Sequence, residues 1–217
     1  MNEFSLLMNE GCGPWTLILA HGAGAPMDSP FMEHMALGLA SQGVNCVRFE
    51  FGYMAARRHD GRKRPPSPQA SLLSQWQAVY AHVRQARQGP IAIGGKSMGG
   101  RMASMLADAL EVDALVCLGY PFHAPGKQDK PRVAHLADLK TPTLILQGER
   151  DAMGSRQTVE HYRLAPLIKL HWLESGDHDL KPLKRSGYTH EMHLATAATA
   201  IRTFLEEPSS TCHLRGV

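Results

Sequence analysis

Six short apolar runs, each parted from the next by a longer and more polar stretch, limit what this chain can fold into more than any other feature. They occupy residues 16–20, 44–51, 91–94, 114–119, 143–147 and 168–173. Runs this short, rich in Val, Ile and Leu and bounded by turn formers, read as buried strands of a parallel sheet. The stretches between them carry helical spacing. After Ser29, the expected cap, and Pro30, suited to the first helical position, Met32, Met35, Ala36 and Leu39 fall on one face. Leu72, Leu73, Trp76, Val79, Tyr80 and Val83 form a second such face, and Leu194, Ala198, Ile201 and Leu205 a third. Strands alternating with helices predict an α/β fold, a mostly parallel central sheet covered by helices on both faces. The interval 120–140 has room for a short helix at most, so no substantial cap domain is expected.

Composition fits one such domain spanning residues 1–217. With 43% hydrophobic residues the chain can bury a single sizeable core. A net charge of +3 is too small an excess for a dedicated nucleic-acid binder. The start, MNEFSLLMNEGCG, has no basic lead and no continuous apolar run, and no stretch is long enough to span a bilayer. A soluble cytoplasmic protein with no membrane or nucleic-acid partner is the expectation. Cys12, Cys46, Cys117 and Cys212 are scattered and form no C-x-x-C, which suits reduced structural thiols. His190 and His193 in HEMH lack the H-E-x-x-H spacing of a zinc site, and no metal or organic cofactor is implied.

The stretch IAIGGKSMGG, residues 91–100, admits two chemistries. A phosphate-binding loop needs G-x-x-x-x-G-K-[ST], with intervening residues free to wrap phosphates. Position 90 holds Pro90 where the first glycine belongs, and residues 91–94 read as buried strand. No slack remains to cradle a nucleotide. The other reading is G-x-S-x-G, from Gly95 to Gly99, running from a strand into the helical MGGRMASMLADAL. Such an elbow holds a serine hydroxyl clear of the sheet, and crowding demands small residues two places to either side.

Serine attacks acyl carbon only with a base in reach and a third group orienting that base. For this elbow the order along the chain is serine, acid, histidine, each in a loop after a strand. Asp151 follows the run 143–147, and His178 follows the run 168–173. Ser97, Asp151 and His178 are therefore the candidate triad, with Glu149 the reserve acid. Asp177 and Asp179 are set aside, because a sequence neighbour's side chain points away from the ring it would have to orient. For the oxyanion hole, one N–H should come from Met98, directly after the nucleophile. The other should come from the glycine-rich loop 21–26, with Ala23 the first choice and Gly24 the second. His21 is read as shaping that turn, since His178 already fits the order.

On these residues the sequence resembles the α/β-hydrolase superfamily, in its small lidless branch related to dienelactone-hydrolase-like enzymes. Within it the likeness is to the family of testis-expressed and NSL-complex hydrolase-fold proteins. LAHGAGAPMDSPFM, VRFEFGYM, GGKSMGGRMAS, GYPFHAPGK, PTLILQGERDAMG and HWLESGDHDLKP carry it, from near residue 18 to near 182. The resemblance implies a serine hydrolase that cleaves a carboxylic ester or similar small acyl compound through an acyl-enzyme. It also implies an alternative, a non-catalytic interaction module, because some members serve as complex subunits. Gly52 departs from the family's F-P-Y-M form, which bears on the shape of that loop.

Basic residues cluster after two of the runs. Arg57, Arg58, Arg62, Lys63 and Arg64 follow the second run, Lys181, Lys184 and Arg185 follow His178, and Lys96 adjoins Ser97. Loops after parallel strands share one side of a sheet, so these charges are expected around the mouth of the site. There they would favour anionic acyl substrates or an acidic partner; the plainer reading is a solvated surface. Phe122, His123 and Met98 are candidates for an acyl pocket, or core and turn residues.

Overall fold

The computed structural model describes residues 5–207. Its strands are β1 (Leu6–Asn9), β2 (Thr16–Ala20), β3 (Asn45–Phe49), β4 (Ile91–Lys96), β5 (Ala114–Leu118), β6 (Thr143–Gly148) and β7 (Ile168–Leu173). The helices are α1 (Pro30–Ser41), α2 (Gly52–Asp60), α3 (Gln69–Ala86), α4 (Met98–Ser104), α5 (Arg156–Val159) and α6 (His190–Glu206). One sheet runs β1-β3-β2-β4-β5-β6-β7, parallel throughout except for β1, which pairs antiparallel with β3.

Alternation along each strand sorts its side chains onto two layers. Ile18, Val47, Phe49, Ile93, Leu115 and Ile145 face one layer, where Trp76 and Val79 of α3 and Met102 and Ala103 of α4 close over them. Leu17, Leu19, Cys46, Val116, Leu144 and Leu146 face the other, under Met32, Met35 and Leu39 of α1 and Leu194, Ile201 and Leu205 of α6. Both faces are thus sealed, each buried aliphatic side chain contributing about 1.5–3 kcal/mol. Cys46 and Cys117 are buried and Cys12 is exposed, while Cys212 lies outside the described residues.

All six expected strands are present, with β3 starting and ending inside the expected 44–51. Three elements were not foreseen, among them the four-residue helix α5. The edge strand β1 has only four residues, too few to show a period. The expected connection after β3 is the helix α2, closed by Gly61 at φ 72° with its N–H on the Arg57 carbonyl. Ser29 sits at the start of α1, yet its side chain makes no cap hydrogen bond. The helix after Ser97 is also shorter than MGGRMASMLADAL suggested, giving way to turns after Ser104. Between β5 and β6 lies only a 3-10 turn, Ala134–Ala137, so no cap covers the carboxyl ends of the parallel strands. That edge is where open α/β sheets place their sites.

Candidate active site

Ser97 ends β4 and begins α4 at φ 50° and ψ −116°, a conformation that costs a non-glycine residue about 1–3 kcal/mol. Its N–H donates to the Leu118 carbonyl at 2.9 Å, and its carbonyl accepts from Arg101 N–H at 3.0 Å. Neighbouring backbone explains the glycines beside it. A Cβ on Gly95 would lie 2.3 Å from the Ala20 carbonyl oxygen, and one on Gly99 would lie 2.5 Å from the same atom.

The structure brings Ser97, His178 and Asp151 into one hydrogen-bonded chain. His178 Nε2 lies 2.8 Å from Ser97 Oγ, and His178 Nδ1 lies 2.7 Å from Asp151 Oδ2. A carboxylate only accepts, so Nδ1 carries the proton and Nε2 is left to accept from the serine. Asp151 is fully buried. Its Oδ1 accepts from Met153 N–H at 2.8 Å, and its Oδ2 also accepts from Gln147 Nε2 at 2.8 Å. Gln147, itself fully buried at the end of β6, further reaches the Tyr120 and Gly154 carbonyls and accepts from Tyr120 N–H at 2.7 Å. The sequence reading passed over Gln147. A glutamine closing the otherwise apolar TLILQ was the available signal. Glu149, the reserve acid, instead pairs with Arg156 and accepts from Ser175 N–H.

The loop carrying His178 is braced from two sides. Lys96 Nζ donates to the His178 carbonyl at 2.8 Å and pairs with Asp179 Oδ1 at 3.1 Å. Burial pushes the Lys96 ammonium below its usual value, with Asp179 opposing the shift. Burial alone would raise the Asp179 carboxyl, yet the charge of Lys96 and its hydrogen bond hold it below the usual range. From α6, His190 Nε2 donates to the Asp179 carbonyl and His193 Nδ1 to the Leu180 carbonyl, both at 2.8 Å. The HEMH spacing thus puts two imidazoles on one helix face, where they tie down backbone.

Across from this loop lies the turn after β2. Buried His21 accepts from Phe51 N–H through Nε2 at 3.1 Å, so its proton sits on Nδ1, which donates to the Gly22 carbonyl at 2.6 Å. Burial keeps its pKa below 6.5, which favours this neutral form. Tyr53 Oη donates to the Ala23 carbonyl at 2.9 Å, and Arg57 reaches the Gly24 carbonyl at 3.3 Å. A planar trans peptide points its N–H opposite its C=O, and no cis bond occurs among the described residues. Tethering the Gly22 and Ala23 carbonyls therefore turns the Ala23 and Gly24 N–H groups the other way. Neither Ala23 N–H nor Met98 N–H bonds another described residue. Gly52 is the first residue of α2, and its N–H donates to Gln75 Oε1 at 2.9 Å, a bond proline could not make.

Two clefts meet at Ser97. One, of about 350 Å³, is lined by the turn 22–25, Phe31, Met32, Lys96, His178 and Asp179. The other, of about 390 Å³, is lined by Pro66, Met98, Arg101, Met102, Pro121 and Arg132. Ala23, Ser97 and Met153 border both. The expected basic rim is corrected here: of the residues proposed for it, only Lys96 lines either cleft. Arg58 is committed to Glu50 and Asp28, each at 2.5 Å, and Arg64 pairs with Asp60. Phe122 is buried against Tyr120 and Tyr162, and buried His123 binds the Ala124 carbonyl; neither lines a cleft.

A family model described as an alpha/beta hydrolase domain matches residues 14–206. The chain belongs to the α/β-hydrolase family. Three solved structures share its fold. A serine hydrolase without lid from Xanthomonas campestris is 21% identical at a TM-score of 0.67, over 96% of this chain and 98% of that one. A dienelactone hydrolase from Anabaena variabilis is 22% identical at 0.66, over 92% and 88%. A serine hydrolase homologue from Coxiella burnetii is 17% identical at 0.67, over 94% and 95%. This α/β hydrolase is a small member without a cap. Among the described residues no helix is long and apolar enough to cross a membrane.

Proposed function

We propose that this one-domain α/β hydrolase is a serine esterase, cleaving a carboxylic ester or related small acyl compound through an acyl-enzyme. The observation that carries this reading is the unbroken chain from Asp151 through His178 to Ser97, at 2.7 and 2.8 Å. The solved structures named for serine hydrolases and a dienelactone hydrolase support it by analogy of fold. In the first half-reaction Ser97 Oγ bonds to the acyl carbon while His178 Nε2 takes the hydroxyl proton. The carbonyl oxygen becomes an oxyanion facing the N–H groups of Met98 and Ala23. Such donors, already in place, contribute about 10²–10³ in rate each. Collapse breaks the bond to the leaving group, which departs with the proton from His178. Water then attacks the acyl-enzyme with His178 as base, releasing the acid and restoring Ser97. Asp151 holds the imidazole in the required tautomer throughout.

The test is labelling of purified protein with a fluorophosphonate probe. Wild type should label, and Ser97→Ala and His178→Ala should not. A folded wild type that stays unlabelled would return the chain to the alternative of an interaction module.

A further inference from the structure

The larger cleft contains two cations with nothing to balance them. Arg101, one helical turn beyond Ser97 on α4, and Arg132, on the loop before the 3-10 turn, both line it. Among the described residues neither is ion-paired, whereas Arg58, Arg64, Arg87, Arg156 and Arg202 all are. Arg101 Nε is buried without a hydrogen-bond partner, and Nη2 has only Gln69 Oε1 at 3.2 Å. Five buried side-chain polar atoms are left unpartnered among the described residues, and only the one on Arg101 belongs to a wall of either cleft. Burial pushes the Arg101 guanidinium below its usual value; Tyr120 opposes the shift and the charge of Arg132 adds to it. Two uncompensated guanidinium groups in a partly desolvated wall are costly alone and favourable around an anion.

The direction of the chemistry says which part of a substrate reaches them. His178 lines only the smaller cleft, and the leaving group must depart toward the imidazole that protonates it. The acyl part then lies in the larger cleft, with Met98, Arg101 and Arg132. On the leaving-group side the one cation, Lys96, is already matched by Asp179 and the His178 carbonyl. A planar guanidinium fits a carboxylate through paired N–H donors. At about 390 Å³ the cleft is near the small end of ligand sites, which run from about 300 to 1,000 Å³.

We propose that Arg101 and Arg132 bind a carboxylate carried on the acyl part, making the substrate class a half-ester of a short dicarboxylic acid. This rests on the esterase reading above. The test compares kcat/KM for mono-4-nitrophenyl adipate and 4-nitrophenyl hexanoate, acyl chains of equal length that differ in the terminal carboxylate. Wild type should prefer the half-ester by roughly ten- to hundredfold, mostly through KM. In Arg101→Gln and Arg132→Gln the ratio should drop toward one. Should Arg101→Gln fail to fold, Arg132→Gln on its surface loop decides alone. A wild type indifferent to the carboxylate, or a preference that survives in the folded variants, overturns the inference and leaves the esterase reading standing. If neither ester is hydrolysed and Ser97 resists labelling, the esterase reading falls. Calorimetry with adipate then decides the anion site alone: saturable binding lost in Arg132→Gln upholds it, and no binding overturns it.

Discussion

Ser97 stands between two regions held in opposite ways. On one side Asp151 and Gln147 are fully buried, and both carboxylate oxygens have protein partners. On the other, Ala23 and Gly24 of the turn are exposed above buried Gly22, and the carbonyls of all three are tied from below by His21, Tyr53 and Arg57. A charge present throughout the reaction must have its bonds made in the resting protein. A charge that appears only in the transition state needs donors fixed in direction but not yet used. Under the proposed mechanism, saturation around Asp151 and vacancy at the Ala23 and Met98 N–H groups follow from that difference in timing.

Four substitutions or conditions would break or sharpen this contrast. Asp151→Asn should have the largest effect, lowering kcat by about 10³–10⁴ with the fold retained, because the imidazole loses its fixed tautomer. Steady-state ester hydrolysis beside a thermal melt reads both halves. Gln147→Leu strips partners from Asp151 and from Tyr120 N–H together, so it should cost about 2–3 kcal/mol in stability. In a chain of this length that is a fall of roughly 4–12 °C in Tm. An unchanged Tm would show that the acid side is not held by its saturation. Tyr53→Phe removes the tether on the Ala23 carbonyl and a longer contact to the Gly22 carbonyl, which keeps its bond from His21. Turnover should fall about tenfold with KM and Tm little moved; a loss of stability instead would mark Tyr53 as core and not as a guide for the turn. The smallest effect belongs to pH. Burial holds folded His21 below 6.5, so the unfolded chain binds more protons as the medium acidifies. Its contribution is present in full above 6.5 and is lost as pH falls toward the lowered folded value. Melts from pH 7.5 to 5 should show a decline that is shallower in His21→Gln.

That Ser97, Asp151 and His178 would meet was legible because each follows an apolar run, and local sequence alone identifies the end of such a run. The braces were not legible. Tyr53 acts across 30 residues on Ala23 and nothing nearby in sequence marks it; Gln147 acts across 27 on Tyr120, and its one mark is a polar side chain closing an apolar run. The basic cluster misled for the same reason. The partners of Arg58, Asp28 and Glu50, lie on other segments, while unremarked Arg101 and Arg132 have no ion-pair partner among the described residues. The strand β1 was missed through brevity. The helix α2 was missed because its run of arginines gives little periodic signal, with only Tyr53 and Met54 buried.

The two imidazoles of α6 have a consequence for how the protein comes into being. Every strand, and Ser97, Asp151 and His178 with them, leaves the ribosome before His190 and His193 do. Until those side chains arrive, the Asp179 and Leu180 carbonyls have no grip from α6, and the sheet face that α6 covers stays open. The proposed nucleophile is therefore synthesised early but its partner seated late, and a nascent chain stalled before α6 carries Ser97, Asp151 and His178 without the bracing that the finished chain gives the His178 loop.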